Sequence, residues 1–560
     1  MRPRPRSRWN PRGSRAVPGG RSLAGGLAGA AVLIGGITVL ARIAGFGRTV
    51  AFSQTVTTSC LSQAYFTANQ IPNVIFEIVA GGALAGMVVP VLAGPVERGA
   101  REEVGRTASA LLTWVVVLLL PLSVVAALTA GPVMRLLVHG AAAPCVQGDI
   151  IDVGARMLVV FAPQILLYGL AVVLYGVLQA HRRFTGPAVA PLVSSIVVIA
   201  AYLAYLPVMG PASPDELAAL PGSAELILSA GTTLGVLAIF CTAATAAWPL
   251  GLRIRPTLRF PPGVAGRVRR LAVAGLAAVV AQQIALLAVV VLTNRYGTKG
   301  ALADYNYAWA IYLLPWAILA VPIATSAFPV LSASTGDREA FDRVTAATTR
   351  AVVLASAAGA AALVAVALPA AHFFAAGPQA RPDVLARAVL TFAPGLLGYG
   401  LVAHLGRVLY ACGRARAAAS AIVLGWAGVL VADVALVVVV PDDWAVAALG
   451  LGNTAGMTVA GLLLLIALGR ARGRAALAGL PRAALAGLVA ASAGGLAGYG
   501  CARALDTAAR PASLGTAVLA AVTAGGVFVA IAYLIDRRDL SAVLRRKVTQ
   551  DKKRADHEHG

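Results

Sequence analysis

The chain has 560 residues, a formal net charge of +23, 59% hydrophobic residues and only 12% charged ones, against roughly a quarter charged in a soluble domain. Such a composition, with a mean hydropathy of +0.81, excludes a water-soluble globular protein. The basic excess is not that of a nucleic-acid binder either. Of 46 Lys and Arg, roughly 35 fall in the tails and alternate loops, about 8 in the other loops and about 3 inside apolar runs, which is the positive-inside pattern.

In chain order, residues 1–23 are rich in Arg and Pro and predict a disordered basic cytosolic tail. Within 24–250 six apolar runs follow, near Ala24–Ala51, Ile71–Ala93, Ala108–Ala130, Met157–Leu178, Pro187–Leu206 and Leu226–Leu250. Each reaches about 20 residues, enough to cross roughly 30 Å of hydrocarbon. Each must be a helix, because lipid satisfies no open backbone. Residues 251–270 form a basic linker with Arg253, Arg255, Arg259, Arg267, Arg269 and Arg270, which the charge alternation places in the cytosol. Six further runs occupy 271–469, near Leu271–Thr293, Tyr305–Leu331, Ala351–Ala371, Ala388–Ala411, Ala417–Val440 and Trp444–Leu468. A last pair lies in 482–536, before a charged cytosolic tail at 537–560.

The expected fold is therefore an all-α polytopic membrane protein of about fourteen spans, with both termini cytosolic. The preference for Arg over Lys, with Ala, Gly, Val and Leu dominant, points to a GC-rich bacterial genome and hence a bacterial plasma membrane. An internal repeat divides the chain. Phe161-Ala162-Pro163 with Tyr168-Gly169-Leu170 recurs at the same internal spacing as Phe392-Ala393-Pro394 with Tyr399-Gly400-Leu401, in the fourth and tenth runs. Pro90-Val91-Leu92 recurs as Pro329-Val330-Leu331 at the ends of the second and eighth. Corresponding runs point the same way, so the expectation is two six-helix parallel-repeat lobes plus two C-terminal helices, with a substrate cavity between the lobes.

Ionisable groups within a span are expensive in lipid, so each is a functional candidate. Arg42 and Arg48 lie six residues apart in the first run, about 120° around a helix, where both can border one wide cavity. Their planar donors suit a diphosphate. The alternative for Arg48 is snorkelling to the outer surface. In the second run Pro72 predicts a bend, and Asn73, Glu77, Gly81 and Gly82 combine polar groups with hinge-prone glycine. Glu77 can pair with Arg42 or Arg48, couple to a proton, or cap a local network. Arg407 and His404 lie in the tenth run, and Asp304, Asn306 and Tyr307 at the start of the eighth read as solvated groups near the outer mouth. Asp433, Asn453 and Thr454 offer oxygen ligands to Na⁺, or a carboxylate to H⁺, and an interhelical hydrogen bond explains them equally well. No metal site, cofactor motif, phosphate loop or nucleophile elbow is present in the sequence, so no enzyme activity is expected. Cys60 and Cys145 fall in loops on the same outer side, where they can pair or stay free, while Cys241, Cys412 and Cys501 read as small packing residues.

Three stretches resemble one known family. Ala41 to Arg48 resembles Ser-Arg-x-x-Gly-Phe-x-Arg, Ala68 to Leu92 resembles a Pro-Asn…Gly-Gly-Ala…Pro-Val segment, and Tyr307 to Leu331 resembles a Tyr-Ala…Pro…Leu-Pro segment. All three are similar to the MurJ/MviN lipid II flippases of the multidrug/oligosaccharidyl-lipid/polysaccharide exporter superfamily, over nearly the whole chain. The resemblance implies alternating access, export of an undecaprenyl-diphosphate-linked peptidoglycan precursor for cell-wall synthesis, and diphosphate contacts from Arg42 and Arg48. This chain departs from the family pattern at Gln63, Phe76, Glu77 and Ala310, where acidic or cavity Arg residues are expected, as actinobacterial relatives do. Within the same fold, the competing cargo is another polyprenyl-diphosphate glycan or an amphipathic small molecule. The competing class is a transport-incompetent scaffold that recruits cell-wall synthesis or division proteins through its basic tails.

Overall fold

A computed structural model describes residues 20–79, 88–261, 264–375, 381–505 and 510–535, and all regular structure among them is helical. Helix α1 (Gly20–Thr55) is the first run. Helix α2 (Cys60–Phe76) passes without interruption through Pro72 and gives way to π geometry at 77–79, while α3 (Val88–Glu97) completes the second run. The expected hinge residues Gly81 and Gly82 lie outside the described residues, as do both tails.

Helix α4 (Arg101–Leu128) is followed by the short α5 (Ala130–Leu137). The fourth run is split into α6 (Gln147–Phe161) and α7 (Pro163–Ala180), and α8 (Thr185–Met209) and α9 (Gly222–Ala247) follow. The second half begins with α10 (Val264–Tyr296). Helices α11 (Ala301–Pro315) and α12 (Val321–Ala333) are joined by a π turn at Trp316–Ala320. Next come α13 (Arg338–Phe374), then α14 (Pro382–Phe392) and α15 (Gly395–Ala411), which meet at a 47° bend. The chain ends in α16 (Ala415–Val437), α17 (Ala445–Arg472), α18 (Leu480–Ala504) and α19 (Arg510–Ile535). Among the described residues eleven helices are long and apolar enough to cross a membrane, or twelve with the bent pair taken as one span. Helix α1 and the interrupted α2–α3 pair occupy the places of the first two expected spans.

The two π turns fall at matching places of the repeat. Aligning Pro90 with Pro329 sets Glu77 opposite Trp316, so each half loosens its second helix at the same level. A π turn inserts one residue into the ladder and commonly marks a functional position.

The Phe-Ala-Pro breaks also match. Proline cannot donate to the preceding turn, which frees carbonyls that a buried site must satisfy. Thr233 Oγ1 of α9 donates to Val160 O (2.8 Å) and receives Gln164 Nε2 (2.9 Å). In the second half Thr454 Oγ1 of α17 donates to Thr391 O (2.6 Å) and receives the Gly395 N–H (3.1 Å). One threonine per half thus stitches the broken helix to its neighbour.

Packing is close where small residues meet. Helix α15 crosses α17 at Gly398, where an added Cβ would lie 2.1 Å from Met457 O and 2.4 Å from its carbonyl carbon. Because the obstacle is backbone, a side chain there forces the helices apart. Gly398→Ala is expected to cost at least the ~1–3 kcal/mol of ordinary overpacking, read as a lowered thermal midpoint and a reduced monodisperse yield in detergent. Gly500→Ala, which meets nothing within 4 Å, is the silent control. Helices α18 and α19 lie against α13 through Ala357, Ala361, Ala490 and Phe528, and through Ala365, Ala502, Ala520 and Ala524.

The halves are tied at one end. Cys60 and Cys145 form a disulfide with Cα atoms 5.5 Å apart, which decides the pairing that the sequence left open. Beside it, Asp215 accepts the Cys60 N–H (3.1 Å) through Oδ1 and binds Lys299 of the second half (2.8 Å) through Oδ2. Gln63 donates to Asn294 Oδ1 (2.9 Å), its own carbonyl oxygen accepts the Leu302 N–H (3.3 Å), and Asn294 donates to Thr67 Oγ1 (3.2 Å). Gln54 of α1 reaches Phe373 O at the end of α13 (3.0 Å).

Candidate functional site

The site is built from the middle of the first two helices upward. Arg48 lies exposed on α1, about one turn before Phe52, which packs with Tyr65 and Phe66. Phe52, four residues on, packs on Tyr65 and Tyr202, so Arg48 lies about one turn from the buried hydroxyls of the first half. Tyr65 is itself hydrogen-bonded to Tyr202 (2.9 Å) and Thr232 (2.7 Å) in a buried hydroxyl cluster. Arg42 is exposed six residues earlier and has no polar contact among the described residues. Around it Val39, Leu40 and Ile43 are exposed as well, so this part of α1 borders open space.

Glu77 stands at the start of the first π turn. Its N–H donates to the carbonyls of Asn73 and Val74, so Asn73 lies half-buried one turn below it. The Glu77 side chain is exposed to solvent, yet its charge acts on both Tyr168 and Tyr399. Those tyrosines are the repeat-related pair that follows Phe-Ala-Pro, one from each half. Each π turn thus brings an aromatic ring against one of these tyrosines, Phe76 on Tyr168 and Trp316 on Tyr399. Among the described residues Glu77 has no ion-pair partner, so neither Arg42 nor Arg48 is its salt-bridge partner.

Aromatic rings line the same level on both sides. Phe76 stacks on Tyr168 with centroids 4.2 Å apart, and Trp316, at the second π turn, lies 5.0 Å from Tyr399. Trp309 and Tyr312 extend the second layer. The sequence reading marked Tyr168 and Tyr399 only as repeat positions and Phe76 only as a departure from the family pattern, and did not single out Trp316. Their signal was the repeat itself, read at side-chain level.

The second half holds a different cluster. Asp433 and Asn453 are each only 1% exposed, and both oxygens of Asp433 lack hydrogen-bond partners among the described residues. Asp433 packs on Gly452, where an added Cβ would meet its Oδ1. Its charge acts on Tyr305, and Asn453 lies beside Tyr312. Buried polar atoms are nearly always paired, and Asn453 has the Tyr312 hydroxyl as a hydrogen-bonding neighbour, which leaves the Asp433 carboxylate as the group without a partner. Among the described residues no group of three or more His, Cys, Asp or Glu exists, so the donor set of one carboxylate and neutral oxygens fits a monovalent cation or a proton and not a transition metal. Thr454, adjacent in sequence, is already engaged at the helix break.

One expectation needs correction. Asp304 and Tyr307 are buried and not solvated. The first lines a cleft with Thr58, Lys299, Arg381 and Asp442, and the second packs on Phe66 and Phe374. Arg407 is half-buried and donates to the Ala403 carbonyl of its own helix, with no contact to Arg48 or Glu77. Nearby His404 is buried against Thr348 Oγ1 (3.1 Å).

Residues 52–507 match the family model described as lipid II flippase MurJ. The chain is 30% identical over 172 residues to a probable lipid II flippase MurJ of Synechocystis sp., a stretch that covers 31% of each protein. Among solved structures it is similar to a lipid II flippase MurJ in an inward closed conformation, with a TM-score of 0.69 at 17% identity over 90% of this chain and 99% of that one. It is also similar to an inward-facing MATE family multidrug transporter of the MOP superfamily, with a TM-score of 0.62 at 14% identity over 77% of this chain and 94% of that one.

Proposed function

The chain belongs to the lipid II flippase MurJ family, a family of multi-pass membrane transporters and not of enzymes, and from that premise we propose that it moves undecaprenyl-diphosphate-linked peptidoglycan precursor across a bacterial plasma membrane. The single observation that supports this cargo is the exposure of Arg48 and Glu77, a cation near the end of α1 and an anion at the end of α2, where Phe76 packs on Tyr168. A diphosphate held there would meet guanidinium donors matched to phosphate oxygens. The aromatic faces of Phe76, Tyr168, Trp316 and Tyr399 would meet the apolar faces of sugar rings.

The two halves act as lobes, residues 24–250 and 271–469, that rock about this level, with residues 482–536 riding on α13. The π turns at 77–79 and 316–320 and the threonine-stitched breaks supply the places where helices bend. The contacts between Asp215 and Lys299, and between Gln63 and Asn294, hold one end shut, and Arg42 meets the cargo from the other. The charge alternation puts the disulfide end outside and both termini in the cytosol, and a disulfide belongs in an oxidising compartment. Asp433 and Asn453 would hold the Na⁺ or H⁺ whose gradient supplies direction, and Thr454 would position their helix.

Expression of this chain in bacteria depleted of their resident lipid II flippase is expected to restore growth and outer-leaflet precursor. Failure to rescue, with normal expression and membrane insertion, would mean that the cargo is another polyprenyl-diphosphate glycan.

A further inference from the structure

The segment between α9 and α10 has no part in the site described above, and its geometry is unusual. Residues 251–261 are not helical, yet they lie along a helix that crosses the membrane. The Arg255 N–H donates to Ser109 Oγ (3.0 Å), the Thr257 N–H donates to Thr113 Oγ1 (3.0 Å), and Trp114 Nε1 donates to the Leu258 carbonyl (3.1 Å). Successive contacts at 109, 113 and 114 mean that the strap climbs α4 from its N-terminal end. Three side chains satisfy its backbone, as any extended chain near hydrocarbon requires.

The height of the strap follows from what α4 exposes. Its exposed apolar surface begins at Trp114 and continues through Val116, Val117, Leu118 and Leu120 to Leu128. Trp114 therefore marks the edge of the hydrocarbon, and Ser109 lies about 7–8 Å below it. Arg255 is thus level with lipid headgroups, Arg253 just beneath, and Arg259 one residue beyond Leu258, from where its long side chain reaches back. All three arginines are exposed, and among the described residues none of their guanidinium groups has an acidic or hydrogen-bonding partner. Leu252 and Phe260 anchor the strap in the core around Val104 and Leu111, while Ile254 and Leu258 are half exposed. Trp248, at the strap's start, is 86% exposed, a ring that water alone would not favour and a membrane interface would.

We infer that this strap is a docking surface for anionic phospholipid headgroups of the surrounding bilayer, held by Arg253, Arg255 and Arg259 with Trp248, Ile254 and Leu258 seated at the acyl boundary. Three unpaired guanidinium groups at fixed height complement a phosphate layer, whereas a zwitterionic headgroup offers no net charge to any of them. The bound lipid brings no chemistry. It tethers the joint between the halves to the membrane surface, so the lipid around the protein bears on how the halves move.

The test is native mass spectrometry of the full-length chain in detergent, titrated with phosphatidylglycerol or phosphatidylcholine. Wild type is expected to prefer phosphatidylglycerol, with an affinity that falls as salt rises. R253Q/R255Q/R259Q is expected to lose that preference by roughly a hundredfold, and R253K/R255K/R259K to keep most of it. R183Q/R414Q/R416Q removes the same charge from other exposed loops at the same end and is expected to bind as wild type does. Equal affinity for the two lipids in wild type, undiminished binding by the glutamine triple, or an equal loss in the loop control would each overturn the inference. Should the glutamine triple unfold, R255Q and R259Q singly carry the comparison, each expected to weaken phosphatidylglycerol about fivefold, and no loss in either would overturn it. Transport plays no part in this assay, so failure of the cargo assignment leaves its outcome unaffected.

Discussion

Replacing Arg48 by alanine is expected to cut rescue of a flippase-depleted strain far more than any other single change on α1. A charge-assisted contact to phosphate contributes about 1.5–3 kcal/mol, so the variant should bind a diphosphate lipid some ten- to hundredfold more weakly. Arg48→Lys should recover only part of this, because an ammonium lacks the paired donors of a guanidinium. Arg42→Ala is expected to be milder, since Arg42 has no polar contact among the described residues while Arg48 lies one turn from Phe52, which packs on Tyr65 of the buried hydroxyl cluster. Glu77→Gln should leave binding intact and slow turnover, because the carboxylate faces a tyrosine of each lobe and changes surroundings whenever they move. Growth rate, outer-leaflet precursor and binding of a short-chain diphosphate lipid separate these effects. If Arg42→Ala and Arg48→Ala both rescue as wild type does, the diphosphate lies elsewhere.

The second large effect is expected at Asp433. A buried carboxylate with neither oxygen paired is costly, so a cation that binds it should stabilise the fold in proportion to its occupancy. Wild type in detergent should melt higher in NaCl than in choline chloride at equal ionic strength. Asp433→Asn should melt higher than wild type without sodium, because the uncompensated charge is gone, and should show no sodium response. Asn453→Ala should weaken the response without removing it. A wild-type midpoint that ignores sodium but climbs as pH falls would assign the site to a proton.

Much of the fold was legible before any coordinates, and the physics says why. Lipid forces every span into a helix, so apolar run length alone located the helices, and the Phe-Ala-Pro repeat gave the two halves. Helix interruptions were less legible. Pro72 announced a bend, yet the helix runs through it and loosens at 77–79, because a π turn depends on packing around the ladder and not on one residue type. The hydrogen bonds of Thr454 across its helix break were not legible either, and matching the two breaks pairs it with Thr233 as its repeat counterpart. Of the residues that tie the halves at one end, Gln63 stood out only as a departure from the family pattern, while Asp215, Asn294 and Lys299 are far apart in sequence and nothing local marked them as its neighbours. Asp304 read as solvated because it stood at the edge of an apolar run, and only tertiary burial shows otherwise.

The bond between Cys60 and Cys145 makes one covalent ring of everything from the start of α2 to the loop before α6, a separation of 85 residues. Within that ring the start of α2 and the loop before α6 cannot part, whatever the lobes do. Any swing of the second span must therefore pivot from a fixed upper end, and displacement grows toward the lower one, past Glu77 and the π turn. A cargo entering from below would meet the part of the wall with the widest travel, and the roof above it would move as a single plate.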